Sequence, residues 1–92
     1  MKVRFLEVAR DAVKYYEAQR PGLGSEFRDR VRSAIERIES FPDAWHLLSE
    51  NTRRCRTEKF PYGVIYRSRE DEIVIVAIAH LHREPEHWED RF

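Results

Sequence analysis

The sequence predicts an α+β domain in which a helical hairpin packs on a mainly antiparallel four-stranded sheet. The expected order is β-α-α-β-β-β with a short C-terminal helical turn. Three observations carry this expectation. Residues 8–41 hold two stretches of helical apolar spacing separated by the breaker 21-PGLG-24. The second half changes to strand-like runs, the strongest being 73-IVIVAIAH-80. At 92 residues the chain has room for one small domain, 1–92, whose core is marginal because such a chain buries only about 60–65% of its unfolded surface.

Residues 2–6 (KVRFL) alternate weakly, with Val3 and Phe5 on one face, and read as a first strand. From Val8 to Arg20, Val8, Ala9, Ala12, Val13 and Tyr16 have helical spacing, and charges occupy the other face. Pro21 to Gly24 stops that helix, and Ser25 is the expected N-cap of the next. There Phe27, Val31, Ala34, Ile35 and Ile38 form an apolar stripe running to Phe41, ahead of Pro42. The short connection makes the two helices antiparallel.

The segment 53-RRCRTEKF-60 reads as a strand, followed after Pro61 by 62-YGVIYRSR-69 and, across the turn 70-EDE-72, by 73-IVIVAIAH-80. Connections this short force an antiparallel meander. The unbroken apolar character of the last strand asks for cover on both faces, which puts it inside the sheet. Pro85 ends the extended pattern, and 85-PEHWEDRF-92 suits a single helical turn with proline at its first position.

Composition narrows the function classes. An apolar fraction of 41% with 12% aromatics is that of a folded chain rather than a disordered one. Lys+Arg and Asp+Glu balance at 17 each, so any nucleic-acid or anion-binding surface must be local rather than global. The single cysteine, Cys55, rules out an internal disulfide and a multi-thiolate metal site, and it fits a reducing cytosol. The start MKVRFLEVAR has no signal-peptide apolar run, and the longest apolar run is seven residues against the roughly 20 that span a bilayer. A cytoplasmic protein with no membrane partner is expected.

The blocks 15-YYEAQRPGLGSEF-27, 59-KFPYGVIYR-67 and 73-IVIVAIAHLHREPEHW-88 resemble, in that order and spacing, the RelE/ParE superfamily. Its members are the toxin halves of bacterial type II toxin–antitoxin pairs, and the resemblance covers essentially the whole chain. It implies growth inhibition by the free toxin, no cofactor, and a cognate antitoxin whose disordered tail folds around the toxin. RelE-like members are ribosome-dependent, metal-independent mRNA endonucleases; ParE-like members poison DNA gyrase. In the ribonuclease pattern, two lysines of the second strand correspond to Arg54 and Arg56, which keep the charge but are poor proton donors. An expected arginine falls on Gly63, a second on His82 or, with a one-residue slip, Arg83, and a C-terminal tyrosine on Trp88. Trp88 can stack but has no hydroxyl. The segment 76-VAIAHLHRE-84 resembles the ParE-like branch more closely. The resemblance therefore implies a non-enzymatic gyrase poison, with ribosome-dependent cleavage of mRNA as the alternative and a non-toxic antitoxin-binding remnant as a third reading.

The nuclease alternative assigns catalysis to Arg54, Arg56, His80, His82 and Arg83, with a histidine shuttling protons near neutrality. The plainer reading packs His80 at the end of the last strand and leaves His82 and His87 exposed. A metal held by His80, His82 and His87 matches no standard ligand spacing, and no metal is expected. Arg53, Arg54, Arg56 and Lys59, widened by Arg67 and Arg69 if these face the same way, offer a local basic surface suited to an acidic antitoxin. Trp88 is a further binding candidate as a C-terminal anchor, or a cap on the core. Cys55 sits among arginines, which lower a thiol pKa, but a buried strand position is its plainer reading.

Overall fold

The computed structural model describes residues 2–5, as backbone, and residues 10–81. Strand β1 (Lys2–Phe5) leads into helix α1 (Arg10–Gln19) and helix α2 (Leu23–Ser40). Strands β2 (His46–Leu47), β3 (Thr52–Arg56), β4 (Tyr62–Arg69) and β5 (Glu72–His80) follow. The sheet order is β1-β5-β4-β3-β2. From β2 to β5 the sheet is an antiparallel meander, and β1 pairs parallel to β5. The helical hairpin and strands β2 to β4 together form the long connection between this parallel pair. The apolar run thus lies inside the sheet between β1 and β4, as its composition demanded.

The four expected strands are all present, and the two-residue edge strand β2 is an addition that its sequence did not announce. It is too short to show any alternation and pairs only His46 with Arg54 and Leu47 with Arg53. Strand β3 ends at Arg56 rather than Phe60, because the chain turns at Lys59, where φ is 73°. The C-terminal turn expected at 85–92 lies outside the described residues.

The expected N-cap is also corrected. Helix α2 starts at Leu23, with Gly22 in the cap position at φ 90° and Ser25 already inside the first turn. Only glycine adopts that backbone without cost. The missing cap is supplied from the preceding helix: the Glu17 carboxylate accepts from the N–H of Gly22 at 3.0 Å and of Gly24 at 3.0 Å. Those two bonds hold its pKa below the usual glutamate range. Gly24 is where the helices meet, since a Cβ there would lie 2.8 Å from the carbonyl oxygen of Val13.

The core between helices and sheet contains Phe27, Val31, Ala34, Ile35 and Ile38 from α2 against Cys55, Val64, Tyr66, Ile73 and Ile75. Phe27 stacks edge-on with Phe60 at 5.2 Å and with Tyr62 at 4.9 Å, and Tyr16 of α1 joins them. A second apolar cluster of Ile65, Val76, Ala77 and Ala79, with Leu48 and Val74, lies on the far face of the sheet. A β-bulge joins the two patterns. Ile65 pairs with Ala77 and Tyr66 with Ile75, which leaves Val76 as the extra residue of β5. Before the bulge the odd-numbered Ile73 and Ile75 face the helices; after it, the even-numbered Ile78 does.

Candidate functional site: the arginine face of the sheet

Alternation along β3 splits its arginines. Cys55 belongs to the helix-side core, so its neighbours Arg54 and Arg56 point to the far face. Arg54 stands opposite Ile65 and Arg56 opposite Gly63. On β4, Arg67 and Arg69 share the parity of Ile65 and therefore join Arg54 and Arg56 on the far face. Arg56, Arg67 and Arg69 are exposed, while Arg54 is half-buried. The far face thus sets a row of guanidinium groups beside the apolar floor of Ile65, Ala77 and Ala79.

Arg53 and Lys59 do not belong to this row. Arg53 lies on the helix side and donates from Nη1 to the carbonyl of Trp45 at 2.9 Å. Lys59, beyond the end of β3, forms an ion pair with Glu26 of α2. Both are engaged in holding loops, and the basic surface is the narrower set on β3 and β4.

His80 is the other departure. The bulge places it opposite Tyr62, with ring centroids 5.1 Å apart, on the side of the helices. It is therefore on the opposite face from Arg54 and Arg56. Leu81 comes next in a turn, its N–H donating to the carbonyl of Pro61 at 2.9 Å. His82, Arg83, His87 and Trp88 lie outside the described residues. Among the described residues no group of three or more histidine, cysteine or acidic side chains is placed to hold a metal ion.

Gly63 has a definite role in this surface. A Cβ built there would lie 2.8 Å from both Cγ and Cδ of Arg54 and 3.2 Å from a methyl of Leu81. The bare backbone at 63 is the channel through which the Arg54 stem crosses β4. Arg54 Nε is buried and has no hydrogen-bond partner among the described residues. Packing against the bare Gly63 backbone holds the Arg54 stem across β4. Chemically, guanidinium groups of this kind bind carboxylates or phosphates in a bidentate manner and do not give up protons near neutrality. The arrangement is suited to recognition of an anion and lacks an evident proton donor in the arginine row.

The sequence pattern did not reveal the loop that supports β3. Helix α2 ends where the Phe41 N–H and Trp45 Nε1 both donate to the Arg37 carbonyl. Arg37 turns back, placing its guanidinium 5.7 Å from the Trp45 ring centroid and donating from Nη2 to the Arg56 carbonyl at 3.1 Å. The Tyr66 hydroxyl donates to the carbonyl of Pro42. The only signal in the sequence was a tryptophan standing alone in a proline-containing loop, 42-PDAW-45. Cys55 is fully buried beside this network, and burial pushes its thiol pKa up despite the opposing pull of Arg37.

The architecture is therefore a two-helix hairpin on one face of a five-stranded sheet, with the arginine row on the other. The profile of the family described as "ParE toxin of type II toxin-antitoxin system, parDE" matches residues 2–85. The chain belongs to that family, the ParE-like branch of the RelE/ParE superfamily. Among solved structures it is similar to a chain of the "Chromosomal ParDE TA system from P. aeruginosa", with a TM-score of 0.67 and 16% identity. That alignment covers 89% of this chain and 97% of the other, and at this identity it speaks for the fold. No curated protein matches the sequence. No helix among the described residues is long and apolar enough to cross a membrane.

Proposed function

We propose that residues 1–92 act as one toxin domain that arrests bacterial growth when free of its antitoxin, by poisoning DNA gyrase and not by cutting RNA. The observation that carries this reading is the match to the ParE toxin family over residues 2–85. The geometry adds support. Where the ribonuclease pattern has two lysines and an arginine, this chain has arginines at 54 and 56 and the bare backbone of Gly63, while His80 faces the other way. The partner that silences the toxin is an antitoxin with an acidic, disordered tail, which the Arg54, Arg56 and Arg67 face suits in charge and the apolar floor suits in shape. Both toxin and antitoxin work in the cytoplasm.

The test is the rate of protein synthesis, followed by pulse labelling, minutes after inducing the chain alone. Continued synthesis while cells filament and mount a DNA-damage response is the expected outcome. Immediate collapse of labelling would point to mRNA cleavage, with Arg54, Arg56, His80, His82 and Arg83 as the first residues to substitute. Undisturbed growth would identify a non-toxic, antitoxin-binding remnant.

A further inference from the structure

Strand register spaces the arginine face evenly. Arg56 stands opposite Gly63, Arg54 opposite Ile65 and Thr52 opposite Arg67. Along the strand direction Arg56, Arg54 and Arg67 therefore follow one another in steps of two residues, and Arg69 is one more such step along β4. Each step is roughly 6.7 Å of extended chain, so the row runs diagonally over two strands for about 20 Å. None of the four guanidinium groups has an ion-pair partner among the described residues.

The acidic groups that could neutralise the row gather at one end of it. Glu70 and Asp71 form the turn after Arg69, Glu72 stands opposite Arg69, and Glu50 precedes β3 at the same end. At the other end Glu58 is paired with Arg30 of α2 at 3.5 Å. His46, opposite Arg54 on the edge strand, adds no negative charge. Arg54, Arg56 and Arg67 are thus the uncompensated part of the row. The backbone beneath it is fixed, since Arg37 donates to the Arg56 carbonyl and Gly63 seats the Arg54 stem.

An even ladder of unpaired guanidinium groups suits a polymer with evenly spaced anions. Single-stranded nucleic acid is held largely by bases stacking on aromatic rings. No aromatic side chain of β3, β4 or β5 lies on this face, because Tyr62 and Tyr66 both pack toward the helices. Contacts to the phosphates of a duplex need no such platform.

We propose that Arg54, Arg56 and Arg67 bind the phosphodiester backbone of duplex DNA, the substrate on which gyrase works. The inference rests on the gyrase reading above for its setting and on the row itself for its chemistry. An acidic antitoxin tail draws on the same three groups, so toxin held by its antitoxin is also kept off DNA.

The experiment follows the fluorescence anisotropy of a short labelled duplex as the full chain is added at a series of salt concentrations. Three phosphate contacts predict that log K falls against log salt with a slope of about −2.7. Arg56→Gln/Arg67→Gln should make that slope shallower by about 2 and weaken binding at low salt by about tenfold or more. Arg28→Gln/Arg32→Gln removes the same charge from the exposed side of α2 and should bind as the wild type does. Cognate antitoxin should release the duplex. A slope near zero, an equal loss in the two variants, or tighter binding of a single-stranded RNA of the same length overturns the proposal. Pulse labelling judges the gyrase reading by itself. Collapse of protein synthesis with duplex binding intact sinks that reading and keeps this site; gyrase poisoning by a chain that binds no duplex does the reverse.

Discussion

Gly63 and Arg54 occupy one space: the stem of Arg54, through Cγ and Cδ, lies 2.8 Å from where a Cβ on Gly63 would stand. The two residues sit on adjacent strands, Gly63 paired with Arg56 and Arg54 with Ile65, so the contact is diagonal. The glycine that breaks the ribonuclease-like pattern is thus the position that lets an arginine cross β4.

Substituting Gly63→Ala forces the middle of a half-buried side chain to move, so a loss of about 1–3 kcal/mol is expected in urea unfolding. In the Arg54→Ala background the same substitution meets no stem and costs much less. The coupling energy of that double-mutant cycle, about 1 kcal/mol or more, measures the contact directly. Additive effects would show that the crowding is relieved elsewhere.

Tyr66 is fully buried on the helix side, and its hydroxyl ties β4 to the loop after α2 at Pro42. Tyr66→Phe keeps the ring and removes the bond, leaving a carbonyl short of a donor, so stability falls by about 1–2 kcal/mol. Burial also pushes the Tyr66 pKa up to about 12. A raised value means that the protonated form is favoured by folding. Its stabilisation is complete below the ordinary value of about 10 and is lost as pH rises through about 12. Ultraviolet titration of the phenolates should show one tyrosine ionising together with alkaline unfolding, and that step should be absent from the Phe variant.

Glu17 caps a helix that has no cap of its own. Its pKa is lowered by the Gly22 and Gly24 N–H groups, so folding favours the carboxylate. The resulting stability is present above the ordinary glutamate value of about 4.3 and disappears as pH falls through the lower folded-state value. Glu26 behaves the same way through its bond to Lys59. Urea midpoints at pH 7, 4 and 3 should decline for the wild type. Glu17→Gln should start lower at pH 7 and decline less, and equal slopes would count against the capping role.

Cys55 should be inert. Its side chain is fully buried, and burial raises the thiol pKa, so little thiolate is available at neutral pH. Labelling by a thiol-specific disulfide reagent should track the rate of unfolding and accelerate only with denaturant. Rapid labelling of the native chain would mean that β3 opens readily.

Local pattern determined a large part of this protein. The apolar stripe from Phe27 to Ile38, the run from Ile73 to Ala79 and the breaker at Pro21 specified a helical hairpin and a meander, because side-chain period and turn chemistry act over a few residues. The three blocks resembling toxins carried the family as well. Three features were decided only by tertiary structure. The bulge at Val76, invisible in a run where every residue is apolar, turned His80 toward Tyr62 and away from the arginines. Strand pairing sorted Arg54, Arg56 and Arg67 from Arg53, which the basic letters of 53-RRCRTEKF-60 could not do. Glu17, on the preceding helix but adjacent in space to Gly24, replaced the N-cap expected of Ser25. Each depends on which backbone groups find partners across elements, and that accounting closes only when the elements are packed together.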